Sequence, residues 1–132
     1  MVSRMTSGPG TIVWIDQHEA RIFDVAEGAF DETKVRASGR HVHRHPKGGT
    51  AEHNHPDDAQ HFFHDVAAAL DGATQILVVG PSTAKLHFLR FLHQHAAKLE
   101  AKVVGIETVD HPTDGQLVAH GKRHFGVPDP RV

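Results

Sequence analysis

Histidine is the residue that stands out for chemistry. The chain has 132 residues and 14 of them are histidine. Five fall within a short stretch as His41-x-His43-x-His45 and His53-x-His55. Alternate residues of an extended chain share a face, so two or three of these imidazoles could converge on one Zn²⁺ or Ni²⁺ ion. His61 and His64, about one helical turn apart just downstream, could join them. The chain has no cysteine, which removes thiolate ligands, disulfides and a cysteine nucleophile together. A zinc or nickel site at His41, His43, His45, His53 and His55 is therefore an alternative; the leading reading carries no cofactor.

The same stretch is rich in fixed positive charge. Residues 34–49 contain Lys34, Arg36, Arg40, Arg44 and Lys47 and no acid, in a chain whose formal charge is −2 with histidine neutral. Imidazoles titrate near pH 6.5 when unperturbed, so protonating half of the histidines would carry the net charge to about +5. A basic segment interleaved with imidazoles suits contact with a phosphate backbone, where each neutralised phosphate releases counterions. Gly48 and Gly49 would let the backbone approach a phosphate closely. The expected RNA-contact residues are Arg40, His41, His43, Arg44, His45, Lys47, Gly48, Gly49 and Thr50. His87, His93, His95, His120 and His124 are scattered over helical segments and read as surface or half-buried helix residues.

These residues need a frame. Residues 11–16 (TIVWID) are β-branched and aromatic, a good strand. Residues 20–26 alternate after a short polar break and complete a hairpin. Residues 32–37 (ETKVRA) form a weaker strand whose charges suit a sheet edge. Residues 38–56 hold three glycines, two prolines and five histidines and read as a long exposed loop. Loops of this length in a compact domain are usually functional or disordered. Pro56, Asp57 and Asp58 open a helix, with the acids in its first turn. Ala59, Phe62, Phe63, Val66, Ala67 and Leu70 form one apolar stripe of period 3.6 along it.

Residues 75–80 (QILVVG) form a strand apolar enough to be covered on both faces. A helix follows Pro81-Ser82-Thr83, with Leu86, Leu89 and Leu92 inward. Residues 101–109 supply another strand. A final helix is capped at Thr113, with Leu117, Val118, Gly121 and Phe125 inward. The order β-β-β-α-β-α-β-α predicts an α/β, ribonuclease-H-like mixed five-stranded sheet with helices on both faces. A flexible segment, 1–10, precedes one domain spanning 11–125, and 126–132 form a tail.

That fold's best-known chemistry does not fit. A ribonuclease-H-type nuclease gathers carboxylates from several strands and a helix around two metal ions. Here Asp16 ends the first strand, the fourth carries no acid, and Asp57 and Asp58 answer to the helix dipole. Asp110-His111 has no placed serine or cysteine with which to form a hydrolase triad.

Three stretches carry a family resemblance: VWID with Glu19-Ala20-Arg21, ILVVGPSTAK at 76–85, and VVGIETVDHPTDGQLVAHGKRHF at 103–125. They resemble the short bacterial translational machinery proteins. These in turn are similar to the central domain of archaeal and eukaryotic peptide-chain release factors and of Pelota, the ribosome-rescue factor. In release factors the long loop before the first helix carries Gly-Gly-Gln, which positions water for ester hydrolysis in the peptidyl transferase centre. The corresponding residues here are Gly48-Gly49-Thr50. Threonine is shorter and lacks the amide, and Pelota also lacks the tripeptide. The resemblance therefore implies a non-catalytic factor that contacts the ribosome or tRNA through its loop. Hydrolysis of peptidyl-tRNA or a related ester through Gly-Gly-Thr is the alternative.

Composition narrows the remainder. Hydrophobic residues make up 39% of the chain, about 48% with the glycines, which is the globular range. No apolar run approaches the roughly 18 residues of a membrane span, and the first ten residues lack the apolar core of a signal peptide. A cytoplasmic protein with a ribosome or tRNA partner is expected, without membrane or DNA; homo-oligomerisation is left open.

Overall fold

The computed structural model of the chain describes residues 10–26, 29–37 and 56–127. Their elements are β1 (Gly10–Ile15), β2 (Glu19–Ala26), β3 (Ala29–Arg36), α1 (Pro56–Ala69), β4 (Ile76–Gly80), α2 (Ala84–His95), the one-turn α3 (Ala97–Glu100), β5 (Val103–Thr108) and α4 (Asp114–Phe125). The strands form one mixed sheet in the order β3-β2-β1-β4-β5. β1–β2 and β2–β3 are antiparallel; β1–β4 and β4–β5 are parallel. The ribonuclease-H-like α/β arrangement predicted above is the one observed, with α3 as an addition.

Helices cover both faces. β1 and β4 are buried along their whole length, so their side chains divide between two cores. Val13, Ile15, Ile76 and Val78 meet Phe62, Phe63, Val66, Leu70, Phe88, Phe91 and Leu92 of α1 and α2. Ile12, Trp14, Leu77 and Val79 meet Leu117 and Val118 of α4. Strand meets strand, and helix meets strand, closely where glycine allows it. A Cβ on Gly80 would run into the Ile15 carbonyl oxygen, and one on Gly121 would come 2.9 Å from Val25 Cγ2.

Three placements differ from the pattern expected. β3 begins at Ala29 and pairs with β2 along its full length, because a continuous antiparallel ladder outweighs the weak strand preference of its acids. Ala59 is exposed, so the buried stripe of α1 starts one turn later, at Phe62. On α2, Leu92 is buried and Leu89 half-buried, but Leu86 is 51% exposed. A spacing of three drifts around a 3.6-residue helix. The buried residues Ala84, Phe88, Phe91 and Leu92 keep the i, i+4, i+7, i+8 rhythm that the leucines do not.

Candidate nucleic-acid interface

Topology brings the carboxyl ends of β1, β3, β4 and β5 to one rim. β3 runs in the direction of β1, and its last residue, Arg36, pairs with Glu19 beside the β1–β2 turn. The Ala37 N–H donates to the His18 carbonyl there, at 2.8 Å. α1 runs back toward the start of β4, so its first residue, Pro56, is also at this end. Ala37 and Pro56, the described residues on either side of 38–55, therefore both lie at the rim where open α/β sheets bind ligands. The expected contact residues Arg40, His41, His43, Arg44, His45, Lys47, Gly48, Gly49 and Thr50 lie outside the described residues, as do the alternative metal ligands His53 and His55. Of the five cations counted from the sequence, Lys34 and Arg36 are described, and both are exposed.

All three resemblance motifs meet at this rim. Asp16 closes the β1–β2 turn: its Oδ1 accepts from the backbone N–H groups of His18 at 2.7 Å and Glu19 at 2.9 Å. Trp14 and Arg21 are register partners across the hairpin, and the Arg21 guanidinium lies 4.6 Å from the centre of the Trp14 ring. Arg21 donates from Nη1 to Asp114 Oδ1 at 2.7 Å and from Nη2 to the Pro112 carbonyl at 3.0 Å. Trp14 Nε1 donates to the Asp110 carbonyl at 2.7 Å. His111 packs on Trp14, with centroids 5.1 Å apart, and its Nδ1 lies 2.9 Å from Asp110 Oδ1.

α4 then starts on a reciprocal cap. Gln116 N–H donates to Thr113 Oγ1 at 3.1 Å, and Thr113 N–H to Gln116 Oε1 at 2.9 Å, the capping box. The run Asp110-His111-Pro112-Thr113-Asp114-Gly115-Gln116 is thus largely accounted for by architecture. It fastens the β5–α4 connection onto β1 and β2.

The middle motif contributes a buried cation. Lys85, 7% exposed, folds back so that Nζ donates to the Ser82 carbonyl at 2.6 Å. Alternation between apolar neighbours gave no sign of Arg21's partners, and a lysine one turn into a helix gave none of burial. The signals that could have found them were a lone tryptophan opposite an arginine in one hairpin, and Lys85 lying in the first turn of the helix that follows the apolar β4.

Asp16 and His111 approach without a hydrogen bond, Nε2 to Oδ2 at 3.9 Å. Among the described residues, no group of three or more His, Asp or Glu side chains could hold a metal ion. His61 and His64 are exposed on α1 and line a groove of about 400 Å³ with Gln60, Phe91 and His95. His87, His93 and His124 are exposed helix residues. His120 is half-buried and pins α4 to β5 through Glu107, Nε2 to Oε1 at 2.7 Å. Among the described residues, no helix is long and apolar enough to cross a membrane.

No protein-family model and no curated protein matches the chain. Solved structures do. Pelota of Archaeoglobus fulgidus superposes with a TM-score of 0.60 at 20% identity, over 86% of this chain and 30% of that one. A structure described as an archaeal protein gives 0.54 at 13% identity, over 92% of this chain and 40% of that one. The chain thus spans less than half the length of either. At these identities the likeness is one of fold: a mixed five-stranded α/β sheet shared with part of Pelota.

Proposed function

We propose that this protein is a non-catalytic, translation-associated factor that contacts the ribosome or tRNA through Arg40, His41, His43, Arg44, His45, Lys47, Gly48, Gly49 and Thr50. The observation that carries the proposal is the fold likeness to Pelota across 86% of the chain. Two features of the chain support it. The basic segment is bracketed by Ala37 and Pro56 at the carboxyl rim of the sheet. The most specific motif residues are engaged in holding that rim together, which leaves the cations of the segment as the candidates for RNA contact. Thr50 stands where the resemblance to release factors would put glutamine, which favours binding over hydrolysis.

Co-sedimentation with ribosomes across a salt series tests the reading. Changing Arg40, Arg44 and Lys47 together to Ala should weaken association and flatten its salt dependence by up to about three contacts' worth of slope. Unchanged association would remove the segment from the interface. Ribosomes carrying peptidyl-tRNA should release no peptide above background. Release that depends on residues 48–50 would favour the hydrolase instead.

Acidity separates RNA contact from the zinc or nickel alternative. Lowering the pH from about 7.5 to 6 charges unliganded imidazoles, so RNA binding should tighten. A metal site needs neutral imidazoles and would release its ion over the same interval. Titrating the loop histidines by NMR with and without Zn²⁺ distinguishes the two.

A further inference from the structure

We propose that β5 is a self-association edge, at which a second copy of this chain adds its own β5 antiparallel about a two-fold axis at Ile106. The two edges of the sheet are built differently. β3 exposes Glu32, Thr33, Lys34 and Arg36, the charged dress with which edge strands resist pairing. β5 exposes Val104 (46%), Ile106 (36%) and Thr108. Val104 and Ile106 are two of the three large hydrophobic residues exposed among the described residues; the third is Leu86 on α2. Ile106 is in register with Val78, whose side chain belongs to the α1–α2 core. The uncovered apolar strip is thus the outer margin of that layer.

The backbone is available in the same register. Val109 N–H donates to the Gly80 carbonyl, with Thr108 opposite Gly80. In a parallel ladder this turns residues 105, 107 and 109 toward β4. The N–H and C=O groups of Ile106 and Thr108 then point away from the sheet, the register shifting at Val104 between the pairs Ile76–Val103 and Leu77–Gly105, and β5 has no partner on that side among the described residues. Antiparallel addition about Ile106 pairs Val104 with the second copy's Thr108 and Ile106 with its own counterpart. Cα atoms in such a hydrogen-bonded pair are about 5.5 Å apart.

Charge selects this orientation. Lys102 precedes the strand and Asp110 follows it, with the Asp110 side chain 92% exposed. Antiparallel pairing sets each lysine end against an aspartate end, whereas parallel pairing sets like against like. The contact is isologous and closes as a dimer.

Sedimentation velocity of the full chain over a range of concentrations should show a monomer–dimer equilibrium. Ile106→Lys should raise its dissociation constant at least about tenfold, because two like charges then face each other on the axis. Position 106 is partly exposed, so the variant should fold; unchanged circular dichroism checks this. The chain's lack of cysteine permits a second test. Ile106→Cys should be joined to its counterpart by a short bis-maleimide, and Thr33→Cys on the opposite edge should not. A monomer at every concentration, a dimer indifferent to Ile106→Lys, cross-linking through position 33 in place of 106, or a dimer seen only after deletion of residues 128–132 would each overturn the proposal.

Discussion

On the α1–α2 side of the sheet the packed side chains are apolar apart from Lys85, whereas the α4 side adds a set of directed polar contacts. Phe63 shows the first manner of packing: its ring lies 5.6–5.8 Å from those of Phe62, Phe88 and Phe91. α4 buries only Leu117, Val118 and Gly121. A single helix with two sizeable buried side chains has little apolar surface with which to fix its direction. The Arg21, Trp14 and Thr113 contacts supply that direction, because hydrogen bonds and an ion pair specify angles where apolar contact does not. The difference teaches that motif specificity and core formation are separable: the distinctive residues orient one layer, and ordinary phenylalanines make the other.

The comparison breaks most sharply on the apolar side. Phe88 is fully buried, and Phe88→Ala should cost about 3–5 kcal/mol, the transfer loss plus the cavity. Urea unfolding followed by circular dichroism measures it. On the other side, Arg21→Ala removes the partner of Asp114 and the cover of Trp14. The Asp114 side chain is 43% exposed, so water compensates part of the loss, and about 2 kcal/mol is expected. The double change with Asp114→Ala should cost less than the sum of the single changes, since both remove one interaction. Additive costs would mean that Arg21 acts through Trp14 and the Pro112 carbonyl without Asp114. The chain has one tryptophan, and it lies in this layer. Its fluorescence should therefore change before the circular dichroism in the Arg21 variant, and together with it in the Phe88 variant.

The strands and helices were legible because their signals are local. A β-branched run at β1, a 3.6-residue stripe from Phe62 to Leu70, and an N-cap threonine at 113 need no knowledge of distant partners. What escaped depends on coverage from both sides. With helices on both faces, β2 has no wet side to which Arg21 can turn, so a charge between Ala20 and Ile22 marks a buried interaction. Alternation on a half-wet sheet would have marked it as solvent-facing. Leu86 escaped for the converse reason: a leucine implies burial only if the helix rotation permits it, and the volumes of Phe88 and Phe91 set that rotation. The segment that carries the proposed RNA contact was legible only as composition. Charge and glycine content have no period from which a geometry could be drawn.

The smallest of the stability effects sharpens the comparison furthest, because it touches orientation alone. Thr113 and Gln116 are exposed, so changing them alters no core. Thr113→Ala should cost about 1 kcal/mol, the usual value of an N-cap hydroxyl, and Thr113→Ser should recover most of it by restoring the acceptor for Gln116 N–H. If the cap only stabilises α4, the loss appears as a uniform shift of the whole unfolding curve. If it also orients the β5–α4 connection, Arg21 and Asp114 lose alignment together. Thr113→Ala and Arg21→Ala should then be non-additive although the two residues share no direct bond, and the tryptophan signal should again lead. Strict additivity would confine the role of Thr113 to its own helix. It would leave Arg21 and Trp14 to fix the direction of the α4 layer by themselves.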